Sequence, residues 1–138
     1  MAQAPLPNGA GGYQLGDGNL SEVQIGVQTA PASVAAVATL TVAQLTNGIV
    51  QYTGSTSPYL TLPTVADLEA VVSSAKVNSS FDFSVCNVDG SSSGVITMTA
   101  GTGWTIVGLA TIAATAGTTG QFRARKTGDG TWTLYRLA

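Results

Sequence analysis

Histidine is absent from this chain, and cysteine occurs once, at Cys86. Without an imidazole there is no base of the Ser-His-Asp kind. One cysteine can close no intrachain disulfide and build no zinc cluster. Cys86 falls in a strand pattern, where a lone cysteine behaves as a small hydrophobe. No catalytic, cofactor-binding or metal site is therefore expected. Charge is scarce too, at 9% of residues against ~25% in an average globular chain. Residues 1–63 hold Asp17 and Glu22 and no Lys or Arg. The five basic residues, Lys76, Arg123, Arg125, Lys126 and Arg136, form no basic stripe, which argues against nucleic acid as a partner. Long apolar runs are also missing, so no membrane span is expected. The start, Met1 to Pro7, lacks the positive region of a secretory signal. These absences together predict a soluble protein made in a reducing cytoplasm.

What is present is small and apolar. Ala, Gly, Ser and Thr fill 67 of 138 positions, and 44% of the chain is hydrophobic. That length suits one domain. A free monomer usually carries more charge to keep its copies apart. The composition fits either a quiet low-charge domain or one whose surface is covered in an assembly, and the second reading is favoured.

Residues 1–20 are rich in glycine and contain Pro5 and Pro7, a composition that cannot bury enough apolar area to order itself. They read as an arm, either a loose tail or a segment that orders on a partner, with Tyr13, Leu15 and Leu20 as anchors. Residues 21–138 read as a single domain. Val23, Ile25 and Val27 alternate with Gln24, Gly26 and Gln28, which predicts a first strand. An apolar run follows from Val34 to Leu40. Thr41 to Gly48 predicts one helical turn capped by Thr41. Short strands are expected at Ile49–Thr53 and Tyr59–Leu62. The one helix of length is predicted at 64–76, capped by Thr64, with Leu68, Val71, Val72 and Ala75 on its apolar face.

From Ser79 onward the chain is short strands between Gly and Ser turns. Phe81, Phe83 and Val85 alternate with Asp82, Ser84 and Cys86, and Ile96 and Met98 with Thr97 and Thr99. Strands also read at Trp104–Val107 and Leu109–Ala113. The last pair, Gln121–Lys126 and Thr131–Leu137, flanks Gly128-Asp129-Gly130. A three-residue loop with Gly130 left-handed pairs Thr127 with Thr131, Lys126 with Trp132 and Ala124 with Leu134. That register puts Phe122, Ala124, Trp132 and Leu134 on one face, and Arg123, Arg125, Thr133 and Tyr135 on the other. Slipping it by one residue would mix them. The whole predicts an all-β fold: an antiparallel β-sandwich of jelly-roll type with one short α-helix and an extended N-terminal arm.

Several motifs imitate chemistry. Gly90-Ser-Ser-Ser-Gly94 has the form of a hydrolase elbow, but it stands in a hairpin and no histidine exists. Ser73-Ser-Ala-Lys76 and Lys126-Thr-Gly128 match two β-lactamase elements without the third. Asp17-Gly-Asn19-Leu-Ser21 starts like a calcium loop but lacks the later Gly and Glu. Asp67 and Glu69, two apart on a helix, make no acid–base pair. The chain reads as no enzyme.

Phe81-Asp-Phe-Ser-Val-Cys-Asn-Val, Thr97-Met-Thr-Ala-Gly-Thr-Gly-Trp-Thr-Ile-Val-Gly108, Phe122-Arg-Ala-Arg125 and Trp132-Thr-Leu-Tyr-Arg136 resemble the capsid decoration, or cement, proteins of tailed bacteriophages. The resemblance extends to Leu40–Ile49 and Leu62-Pro-Thr64, covering about residues 38–137 and leaving out the arm. It implies a jelly-roll-type domain on the outer capsid surface of the virion, commonly a homotrimer. There it binds the major capsid protein and bridges neighbouring capsomers. The alternative is a receptor- or glycan-binding module of a head fibre or tail. The expected partner-binding residues are Tyr13, Leu15, Leu20, Arg123, Arg125 and Tyr135, since Arg/Tyr patches favour interfaces. For the two arginines a solvated sheet face is the competing reading.

Overall fold

The computed structural model of the chain describes residues 25–88, 94–115 and 117–138. Their regular structure is mostly β-strand, in two sheets, with two short helices. The first half runs β1 (Ala32–Val34), β2 (Ala38–Thr39), α1 (Val42–Thr46), β3 (Ile49–Tyr52), β4 (Tyr59–Thr61) and α2 (Val65–Val71). The second half runs β5 (Ser80–Asn87), β6 (Ile96–Thr99), β7 (Trp104–Val107), β8 (Thr111–Ile112), β9 (Thr119–Gly128) and β10 (Thr131–Arg136). Sheet A has the order β1-β3-β5-β9-β10-β7 and sheet B the order β2-β4-β6-β8.

The expectation of antiparallel pairing is corrected. Five of the eight strand pairings are parallel: β1–β3, β3–β5, β2–β4, β4–β6 and β7–β10. The chain visits sheet A, crosses to sheet B, returns through a helix and repeats. Successive visits stack side by side in one direction. A sequence repeat underlies the two returns: Thr41-Val-Ala-Gln-Leu45 and Thr64-Val-Ala-Asp-Leu68. In each, the threonine accepts the backbone N–H three residues on, at 3.2 Å in α1 and 3.1 Å in α2. Gln44 Oε1 also accepts the Thr41 N–H at 2.9 Å, completing a reciprocal cap. Val42 and Leu45, like Val65 and Leu68, are buried. Two capped turns of the same design thus bring the chain back to sheet A.

The second helix is shorter than the predicted 64–76. It stops at Val71, with Val72 as C-cap, and Val71 is 64% exposed. Two β-branched valines followed by Ser73-Ser74 weaken the helix there, since both residue types lose more than they gain in a helix interior. The strand expected at 22–28 is not found in its described part: residues 25–31 carry no strand. The run Val34–Leu40 divides between two sheets at a bend. Gly54 makes room for that bend, because a β-carbon at Gly54 would lie 2.2 Å from the Ala35 carbonyl oxygen.

Both sheets and both helices contribute to one core, with Val50, Phe83, Phe122 and Leu134 from sheet A and Leu60, Met98 and Ile112 from sheet B. Phe83 stacks on Phe122 with centroids 5.5 Å apart, and Trp104 meets Trp132 at 6.0 Å. Each indole N–H is satisfied from the α2 region: Trp104 donates to the Pro63 carbonyl at 2.7 Å, and Trp132 to Glu69 at 3.1 Å. A buried indole needs such a partner, so the tryptophans position α2 as well as filling space. Asn87 is fully buried in β5, and its amide donates to the carbonyls of Gly94 (2.7 Å) and Ala113 (3.1 Å).

The final hairpin keeps the predicted facing. Lys126 pairs with Trp132, Ala124 with Leu134 and Arg123 with Tyr135. One detail differs: Thr131 pairs with Gly128 rather than Thr127, and the register shifts at Thr131/Trp132. The loop closes through Gly130 at φ 70°, the left-handed residue of a bulged hairpin. Thr127 still reaches Thr131, donating its hydroxyl to the carbonyl at 3.1 Å.

Candidate binding surfaces

The outer face of sheet A carries the predicted arginines. Pairing aligns Asp82 with Arg123 and Tyr135, and Ser80 with Arg125 and Thr133, across β5, β9 and β10. Arg123 grips Asp82 with two bonds, Nε to Oδ1 at 2.6 Å and Nη2 to Oδ2 at 2.8 Å. The contact holds the Asp82 carboxyl below its usual range and raises the Arg123 guanidinium. Side-chain exposures of 50% and 38% keep the pair in water, where such a bridge adds little stability. Arg125 donates to Asn78 Oδ1 through Nη2 (2.6 Å) and Nε (3.1 Å), and through Nη1 to the Tyr135 hydroxyl (3.3 Å). Asn78 holds a left-handed backbone at φ 78°; its N–H donates to the Lys126 carbonyl. The structure therefore brings Arg123, Arg125 and Tyr135 together on one outward patch. It also turns both guanidinium groups toward partners within the chain. Tyr13, Leu15 and Leu20 lie outside the described residues.

Where the described chain begins, it is open to solvent and carries no strand. Ile25 is 92% and Val27 95% exposed. Immediately after them a polar latch fastens the chain to the end of α1. Gln28 Nε2 donates to the carbonyl (3.0 Å) and side-chain oxygen (2.9 Å) of Asn47, while Asn47 Nδ2 donates to Thr29 Oγ1 (2.7 Å) and the Ala30 carbonyl (3.0 Å). Residues 28–30 are pinned, and residues 25–27 project from the pin. Sequence reasoning did not anticipate Asn47, because its partners stand 17 to 19 positions away.

A third cluster joins α2 to the hairpin tip. Glu69 accepts from Lys126 Nζ at 3.0 Å, from Trp132 Nε1 at 3.1 Å and from the Gly130 N–H at 3.3 Å. Lys126 also donates to the Ala75 carbonyl at 3.2 Å and lies 3.6 Å from Asp129. The bond from Lys126, with further help from Trp132 and Gly130, holds the Glu69 carboxyl below its ordinary value, and Glu69 raises Lys126 in return. A carboxyl depressed in the fold contributes stability that is present above its unfolded pKa and lost as pH falls through the folded one. Acid unfolding should therefore begin below pH ~4.5, the ordinary glutamate value. Glu69→Gln should lose stability at pH 7 and show a flatter decline between pH 5 and 3 (about that range), read from urea midpoints across pH. An unchanged slope would remove Glu69 from this role.

No group of three or more His, Cys, Asp or Glu side chains positioned to hold a metal occurs among the described residues. No helix there is long and apolar enough to cross a membrane. The hydrolase-like elbow and the calcium-like segment fall, apart from Gly94, outside the described residues. In comparison with known proteins, no family model, curated protein or solved structure matches this chain.

Proposed function

We propose that this chain is a structural virion protein that binds the outer surface of a tailed-phage capsid and stabilises the shell by bridging neighbouring capsomers, acting as a homotrimer. One observation carries the reading most. A two-sheet body is joined by a polar latch to a segment outside both sheets whose Ile25 and Val27 stand almost wholly in water. Apolar side chains held out from the body suit insertion into a partner's surface. Upstream, Tyr13, Leu15 and Leu20 supply further anchors in the same arm. The two-sheet body serves as the platform, with most of its strand pairing parallel where the jelly roll implied by the resemblance is antiparallel.

In this reading Arg123, Arg125 and Tyr135 meet the capsid protein as a second contact. Arg123→Ala combined with Arg125→Ala is expected to weaken shell binding about tenfold or more, the range of a lost interfacial arginine. Circular dichroism should remain unchanged, because the ion pair is exposed. Binding as tight as wild type would remove these arginines from the interface. The functional reading itself is tested by heating shells with and without the protein. Decorated shells should release their DNA at a higher temperature. A protein that leaves the release temperature unmoved but binds a glycan would instead be a receptor module.

A further inference from the structure

The two outward arginines of β9 differ in what their charge meets. Arg123 lies against a carboxylate, Asp82, which cancels it. Arg125 is held by neutral oxygens: Asn78 Oδ1 accepts from Nη2 at 2.6 Å and from Nε at 3.1 Å, and the Tyr135 hydroxyl accepts from Nη1 at 3.3 Å. Among the described residues no carboxylate forms an ion pair with it. The strands of sheet A contain one acid, Asp82, and Arg123 already occupies it. The outward patch therefore carries a positive charge at Arg125 that its neighbours leave uncancelled.

Position 78 makes this a property of the design. Its backbone is left-handed, at φ 78°, a conformation that Asn and Asp both adopt more readily than other side chains. An aspartate there would serve the turn equally and would cancel Arg125, as Asp82 cancels Arg123. The amide grips the guanidinium and leaves its charge in place. Asn78 is itself tied down, its N–H donating to the Lys126 carbonyl at 2.9 Å. Arg125 is thus oriented before any partner arrives, which lowers the cost of ordering it on binding.

What the held side chain offers can be counted. Three of the five guanidinium N–H groups are used. Two remain, one on each terminal nitrogen, enough for the paired bonds by which a carboxylate binds arginine. The Tyr135 hydroxyl accepts from Arg125 and so keeps its own hydrogen to donate to the same anion. Register sets Ser80 and Thr133 on either side of Arg125, adding hydroxyl donors. One uncancelled cation falls far short of what a nucleic-acid backbone needs. It matches a single acidic side chain within a protein contact.

We infer that Arg125, held by Asn78 and Tyr135, is an anchoring site for one Asp or Glu carboxylate on the surface of the shell. The site belongs to the proposed function and rests on it, because the shell brings the acid. Arg123, already paired, contributes contact area rather than charge.

The test sediments the full chain with undecorated heads over a range of protein concentration, at low and high salt, with Asn78→Asp and Arg125→Gln as variants. Asn78→Asp supplies an internal carboxylate, so it should bind about tenfold more weakly while its unfolding temperature does not fall. A role confined to the fold predicts the reverse for this variant, a firmer turn and unchanged binding. Arg125→Gln should lose a similar factor and show a shallower decline of affinity with salt than wild type does. Folded Asn78→Asp that binds as tightly as wild type would overturn the inference. If that variant fails to fold, Arg125→Gln decides, and wild-type affinity with wild-type salt dependence overturns it. A wild type that binds no shell removes the functional reading and this site with it. Wild-type binding that neither substitution weakens removes the site alone.

Discussion

Trp132→Ala should cost about 3–5 kcal/mol, the range for deleting a large buried aromatic, and this is the largest single-site loss of stability expected here. Trp132 is 1% exposed and touches Trp104 and Phe81, with centroids 6.0 and 5.9 Å away. Two terms add. The vacated volume takes a ring contact from both Phe81 and Trp104, and the loss of the indole N–H takes one of the donors that hold Glu69. Because Glu69 also binds Gly130 and Lys126, the α2–hairpin contact loosens together with the core. Against a typical domain stability of about 5–15 kcal/mol, the variant should unfold at a clearly lower urea concentration. Trp132→Phe separates the terms: it keeps an aromatic ring but removes the donor, so its loss should be smaller and should shrink further when Glu69→Gln is already present. Additive losses would mean that the indole and the carboxylate are not coupled.

The second large effect concerns binding. Ile25→Asp with Val27→Asp should weaken attachment to the shell by about a hundredfold or more. Burying each aliphatic side chain contributes about 1.5–3 kcal/mol, every 1.4 kcal/mol is about tenfold, and a charge placed in the same contact costs more. Stability should be unaffected, since both side chains stand almost entirely in solvent within the isolated chain. Sedimentation of the variant with shells reads the first outcome and thermal unfolding the second. A variant that cosediments as wild type does would show that the arm stays free of the partner.

The sequence carried the local design and missed the topology. The final hairpin was legible because three signals agree: Gly130 at the left-handed position, apolar residues at Phe122, Ala124, Trp132 and Leu134, and arginines on the alternate positions. Caps at Thr41 and Thr64 were legible for the same local reason. Parallel pairing was not, because strands of two to four residues such as β2, β3 and β4 alternate alike whether their neighbours run with or against them. The clue was the repeat Thr-Val-Ala-(Gln/Asp)-Leu at Thr41 and Thr64, which marks two equivalent returns to one sheet; five residues with one difference speak softly among so many Thr, Val and Ala. Of the surfaces, the outward placing of Arg123 and Arg125 followed from alternation. Their engagement by Asp82 and Asn78 did not, because those partners lie 41 and 47 positions away.

The central claim is attachment to a capsid, and weighing shells tests it most directly. Purified protein is mixed with undecorated, expanded phage heads, free protein is removed, and the mass of the particles is measured beside images of their surfaces. The proposal predicts a fixed gain in mass that saturates at a whole number of copies per capsomer position, with density added on the outside. Heads that gain no mass at saturating protein would contradict it.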